Sequence, residues 1–214
     1  MTPLSVLHIT PYLAPAWAHG HVPGAVWSLA RGQAVRGWDV SVLTTDAMAP
    51  HERLPRGAST VEGVRIVRMR NAVGLVTSWV QVSTPIGWSR AARELLAQRP
   101  QLVHLHELRT LEALLITSLL PRDAIVVAST HGLESTTTPR TLGVRGQERV
   151  LRRAWARINH VIVESAGELE RVRQLAATHQ LPWSETNLSI ATNDMSSEGS
   201  VLQVYERLLW HSHH

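Results

Sequence analysis

The sequence predicts an α/β fold. The expectation is a single Rossmann-like domain, with a parallel sheet of about seven strands, helices on both faces and a carboxyl-terminal amphipathic helix. Three observations carry this. The first unit, Leu4 to Asp46, reads as strand, loop, helix and strand within about 40 residues, which forces a parallel pair with a right-handed crossover. Short apolar, β-branched runs then alternate with helix-spaced segments along the rest of the chain. The tail from Val201 to Trp210 carries a helical period, with Val201, Val204, Tyr205, Leu208 and Leu209 on one side.

In order, Leu4 to Ile9 is the first strand, stopped by Thr10-Pro11, and a polar loop with Gly20, His21 and Gly24 follows it. The spacing of Val22, Val26, Leu29, Ala30, Gln33 and Ala34 predicts a helix closed by Gly37. Asp39 to Thr44 is the second strand. Ala47 to Val61, with Pro50, Pro55 and Gly57, reads as a loop, and Val64 to Met69 as an edge or near-edge strand. Asn71 to Thr84 is weakly patterned, with Trp79 exposed or membrane-facing unless packed. Pro85 is expected to open a helix running to Pro100.

Leu102 to His106 is the next strand, Leu108 to Leu120 a buried helix, and Ala124 to Thr130 a buried strand ending at His131-Gly132. A loop with Pro139 and Gly143 leads to a basic helix, Gly146 to Arg157. Asn159 to Val163 is a strand, and Ser165 with Glu168 predicts a capping box for a helix from Ala166 to Ala176. Asn187 to Ile190 is the last strand. The expected division is a domain over residues 1–194, then a linker and amphipathic helix over 195–214. His211, His213 and His214 read as a frayed end or tag remnant, with a metal site the minor alternative.

The chain has 214 residues, enough for a domain that buries about 70% of its unfolded surface. At 44% hydrophobic and 18% charged, it is globular and not disordered. Cysteine is absent, which excludes disulfides and thiolate metal sites and fits a reducing compartment. A strand begins almost at the amino terminus, leaving no room for a signal peptide. The longest apolar stretch, Leu105 to Leu120, is interrupted by Glu107, Arg109 and Glu112 and does not read as a membrane span. The expected location is therefore cytoplasmic, with at most peripheral contact at the inner membrane face. Lysine and phenylalanine are also absent, while there are eight tryptophans, so the net charge of +4 rests on arginine alone. A GC-rich source or deliberate design would both produce this composition. The arginines are spread along the chain without a nucleic-acid-binding motif; they read as solvated helix faces or as attraction to anionic lipid or a phosphorylated ligand.

Several stretches together resemble a known family. Pro11-Tyr12 with Gly20, Ala25 to Gly32, and Arg36 to Val40 are similar to the opening of the family-4 glycosyltransferases of the GT-B fold. Leu102 to Glu107, Ser129 to Gly132, Asn159 to Ser165 and Leu188 to Asn193 agree in order and spacing. The resemblance covers Leu4 to about Asn193, the amino-terminal, acceptor-side domain of that family, and the final helix resembles the family's terminal helix, which implies that it packs back on this domain. Departures are Gly20-His21 for a glycine pair, Gly37-Trp38 for glycine-histidine, and Thr192-Asn193-Asp194 for a proline-asparagine-glycine hinge.

What the resemblance implies is a transfer of sugar from a nucleotide-sugar donor to a hydroxyl acceptor, with no cofactor and no catalytic metal. The donor-binding domain of the family is not found in this sequence, so the expectation is an acceptor-binding half, inactive alone. Two alternatives stand beside it: one subunit of a two-chain transferase, and a non-catalytic, natural or engineered, binding module. The expected partners are a sugar or lipid-linked acceptor and a separate donor-domain chain or a second copy, with no nucleic acid.

By the same resemblance, His131 is the catalytic-site residue that meets the transferred sugar or the acceptor; a histidine satisfied within its loop is the alternative. Gly132 follows it. Gly20 and His21 face the same cleft near the donor phosphates, or form a mere turn. His106 and Glu107 end a strand at that edge, where Glu107 either orients an acceptor hydroxyl or is a helix-start carboxylate. His104 is read as turned to the other face of its strand and structural. Arg140 and Arg145 meet a phosphate on a lipid-linked acceptor or sit in a solvated loop. No histidine pair has metal-ligand spacing along the sequence.

Overall fold

A computed structural model of the chain describes residues 3–49, 51–72, 83, 85–108, 110–132, 152–191 and 197–212. Its centre is a nine-stranded, mixed but mostly parallel sheet. The strands are β1 (Ser5–Ile9), β2 (Asp39–Thr45), β5 (Gly57–Val61), β6 (Val64–Asn71), β7 (Pro85–Ile86), β8 (Leu102–His106), β9 (Ile125–Ser129), β10 (His160–Val163) and β11 (Leu188–Ile190). Their order is β11-β10-β9-β8-β1-β2-β6-β5, with β7 beside β6. Neighbours from β11 to β6 pair in parallel, while β5 and β7 add antiparallel to β6. A separate hairpin joins β3 (Ala47–Ala49) to β4 (Glu52–Arg53). Chain order reverses between β1 and β8, and open parallel sheets bind ligands outside the carboxyl ends of such a switch point.

The helices are α1 (Val22–Val35), α2 (Trp88–Leu96), α3 (Leu111–Thr117), α4 (Ala166–His179) and α5 (Ser197–Ser212). Residues two apart along a strand share a face, so the sheet has two cores. On one face Leu7, Ile9, Val103, Leu105, Val126, Ala128, Val161 and Val163 pack with α2, α3, α4, Trp155 and Trp183. On the other, Val6, Val40, Val42, Ile66, Leu102, Val127 and Ile162 pack with α1 and α5. The terminal helix is thus part of the domain core, with Val201, Val204 and Tyr205 buried on the sheet. No helix among the described residues is long and apolar enough to cross a membrane.

Several expectations are corrected. The segment Ala47 to Val61 is not one loop but the β3–β4 hairpin followed by β5. Every β5 residue is exposed, so no hydrophobic alternation announced it. Pro85 lies in β7, and the helix starts after Gly87, whose φ of 78° in the left-handed region suits a glycine. The helix expected over Leu108 to Leu120 shortens to α3, begun by Thr110, whose hydroxyl accepts from the Ala113 amide. α4 extends to His179, and helix begins at Ser197 inside the expected linker.

Ser165 does cap α4, accepting from the Glu168 amide at 3.2 Å, but Glu168 does not reach back to the Ser165 amide. Its carboxylate instead accepts from the amides of Glu164 and Gly132, both at 2.8 Å. Of the basic helix expected over Gly146 to Arg157, residues 152–155 are helical. The rest of that helix up to residue 151, Trp79, Arg140 and Arg145 lie outside the described residues.

Candidate functional site

At the carboxyl edge of the sheet, a cavity of about 430 Å³ is lined by His21, His106, Ser129, His131 and Glu164, with Gly24, Ala25, Ser28 and Leu29 of α1 and Val201 of α5 as apolar and small neighbours. Strand ends deliver the polar groups: His106 closes β8, Ser129 closes β9, and Glu164 follows β10. His131 lies two residues past β9 with φ of 53°, and Glu107, just past β8, has φ of 73°. A non-glycine residue in that region costs roughly 1–3 kcal/mol and persists where the surroundings enforce it; such residues cluster at functional sites. Around His131 the enforcement is visible: the Thr130 amide donates to the Ile162 carbonyl at 3.1 Å, and the Gly132 amide to Glu168 at 2.8 Å.

Behind the cavity runs a file of hydrogen-bonded side chains. Gln33 Oε1 lies 2.7 Å from His8 Nε2, and His8 Nδ1 lies 3.0 Å from His106 Nε2. His106 Nδ1 is 2.9 Å from His131 Nε2, and His131 Nδ1 is 3.0 Å from Glu164 Oε1. A branch joins His104 to the Ser129 hydroxyl at 2.8 Å and to the Tyr205 hydroxyl. Burial lowers the pKa of His8 to about 4 and pushes His104 and His106 well below the usual histidine range. His8, His104 and His106 are therefore neutral at pH 7, each acting as one donor and one acceptor.

Of the sequence-predicted residues, the fold brings His21, His106 and His131 to one cavity, whose lining does not include Gly20 or Gly132. Glu107 is not among the cavity's lining; burial, then the charge of Glu112, raises its pKa to about 7. His104 is corrected. It shares a face with His106, their rings 4.1 Å apart, as a period of two requires, and both are buried.

Sequence reasoning missed Glu164, Gln33, Tyr205 and Ser129 as site residues. Glu164 had a signal, since it directly follows a strand at the same edge. Gln33 and Tyr205 had none, because they reach their histidines across 25 and 101 residues. A second recess, lined by Asp46, Arg53, Arg56, Arg70 and Asn71, was hidden by reading Ala47 to Val61 as a loop. Buried Asp46 accepts from the Asn71 amide at 2.8 Å and faces Arg53 and Arg56 at 3.8 and 3.7 Å.

Solved structures share the fold, among them the following two. A sucrose-phosphate synthase chain from Thermosynechococcus elongatus aligns with a TM-score of 0.58 and 16% identity, over 98% of this chain and 99% of that one. The catalytic domain of starch synthase IV from Arabidopsis thaliana, bound to ADP and acarbose, aligns with a TM-score of 0.56 and 15% identity, over 90% of this chain. The match spans about half, 52%, of that starch synthase chain. No curated protein matches the sequence. The model of the family described as Glycosyltransferase Family 4 matches residues 25–180, well over half of the chain. The protein belongs to glycosyltransferase family 4, and its fold is that of one Rossmann-like half of a GT-B enzyme.

Proposed function

We propose that this domain is the acceptor-binding half of a glycosyltransferase that moves a sugar from a nucleotide-sugar donor to a hydroxyl of a sugar or lipid-linked acceptor. The observation that supports this reading is the cavity at the switch-point edge, with His131 held in a left-handed turn between His106 and Glu164. Glycosyl transfer needs an acceptor hydroxyl held against the anomeric carbon, and orientation of that kind supplies much of the barrier reduction. In this reading Glu164 accepts a hydrogen bond from that hydroxyl, and α1 and α5 close the apolar sides around it. Stabilising the leaving diphosphate falls to a second, donor-binding domain, on the same polypeptide or on another.

In this reading the 214-residue chain alone binds acceptor and does not turn over. The test is a transfer and hydrolysis assay with a panel of nucleotide sugars and acceptors, run beside acceptor-binding titrations of the unaltered chain and His131→Ala. Saturable acceptor binding, weakened roughly tenfold or more by the substitution, with no turnover, is the expected result. Turnover by the chain alone contradicts the half-enzyme reading. Acceptor binding that is absent, or indifferent to His131→Ala in a folded sample, contradicts the site.

A further inference from the structure

At the mouth of the cavity, three ligand-type atoms converge from loops far apart in sequence. They are Nε2 of His21, just before α1, Nδ1 of His131, after β9, and the carboxylate of Glu164, after β10. His131 Nδ1 lies 3.0 Å from Glu164 Oε1, His21 Nε2 lies 3.7 Å from Glu164 Oε2, and all three ligand atoms fall within 4.8 Å of one another. Bonds of about 2.1 Å to one ion put neighbouring ligand atoms roughly 3–3.5 Å apart. His131 and Glu164 already stand at that separation. The His21 side chain is 57% exposed.

The file behind His131 supplies a second observation. Gln33 Oε1 is an acceptor, so the proton of His8 lies on Nε2, facing it at 2.7 Å. His8 Nδ1 then accepts from His106 Nε2, and His106 Nδ1 accepts from His131 Nε2, at 3.0 and 2.9 Å. His131 thus turns Nε2 away from the cavity and presents Nδ1 to a carboxylate oxygen of Glu164 3.0 Å away. A ring N–H donated away from the site is also how ligating histidines are commonly oriented, and such outer partners tune metal affinity.

We propose that His21, His131 and Glu164 form a binding site for a transition-metal dication of the zinc class, oriented from behind by His106, His8 and Gln33. Two imidazoles and one carboxylate leave coordination positions open, and here those positions face the cavity, where an oxygen of a bound hydroxyl or phosphate completes the shell. His8, His104 and His106 also lie close together, but they are enclosed and their nitrogens bond to one another, to Gln33, His131, Ser129 and Tyr205. The proposal stands apart from the glycosyltransferase reading, which calls for no metal.

The test is calorimetric titration of the full chain with zinc chloride, in a background carrying H211A, H213A and H214A so that the tail offers no ligands. One equivalent of zinc per chain is expected. His21→Ala, at an exposed side chain, and the conservative Glu164→Gln each weaken binding by roughly tenfold or more, while circular dichroism stays unchanged. Cobalt(II) as a second probe gives visible bands that both substitutions abolish. Absence of zinc binding, or binding indifferent to His21→Ala, overturns the proposal. So does a histidine NMR spectrum in which His131 holds protons on both nitrogens in the presence of zinc. Acceptor binding plays no part in any of these readouts, so the two proposals fail separately.

Discussion

The two faces of one sheet are built to different rules. Towards α2, α3 and α4, the fully buried residues of β1, β8, β9 and β10 are aliphatic, and the polar atoms of Trp155 and Trp183 are tied to backbone: their indole N–H groups donate to the carbonyls of Leu108 and Ile158, both at 3.1 Å. Towards α1 and α5, the same strands alternate aliphatic residues with His8, His104, His106, Ser129 and His160, all buried. Burying polar rings costs stability unless they find partners. The histidine file finds them only by drawing on Gln33 from α1 and Tyr205 from α5. One face is packed for stability. The other keeps polar groups buried, and that file ends at the cavity.

The largest expected effect breaks the apolar face. Trp155 is 2% exposed, and Trp155→Ala is expected to cost about 3–5 kcal/mol in urea unfolding. That loss should have the same size at pH 7 and pH 5, because no titrating group is removed. Acid acts on the opposite face. His8 has a folded pKa of about 4 against 6.5 unfolded, so below pH 6.5 the unfolded chain takes up a proton that the folded one refuses. Stability is intact above pH 6.5 and is lost as pH falls towards 4, by about 3 kcal/mol from His8 alone. His104 and His106 act in the same direction. Unfolding curves from pH 7 to pH 4 check this, and a flat profile would mean that the histidines are not enclosed as described.

A smaller change sharpens the contrast. Tyr205→Phe keeps the helix packing but removes the hydroxyl bonded to His104, which leaves a buried ring nitrogen short of a partner. The expected cost is about 1–3 kcal/mol. Since His104 branches from the file and does not line the cavity, ligand binding at His131 should be retained. Loss of binding together with stability would show that the two are coupled through the file.

The strands near the middle of the sheet were legible because parallel strands covered on both sides read as apolar runs. The first βαβ unit was legible for a further reason: Gly37, with φ of 81°, marks the turn out of α1. Periphery was harder. β5 is exposed throughout and held by backbone pairing with β6, so its side chains carry no pattern. β7 consists of two residues that a proline signal assigned to the following helix.

At the site, His131 stood out as a histidine-glycine pair ending a buried strand, and His106 as a strand end at the same edge. What joins them was not legible. The tautomer order along the file, the turn of Glu168 towards Gly132, and the meeting of His21 with Glu164 depend on contacts between segments distant in sequence.

The measurement nearest to the heart of this description is an NMR titration of the chain with acceptor sugars, following the side-chain signals of His21, His106 and His131 beside the indole signals of Trp155 and Trp183. Saturable shifts confined to the three histidines, with the indoles still, are expected if the polar face carries the binding site. Shifts at the indoles with the histidines unmoved would place binding on the opposite face and contradict the division of labour between the two.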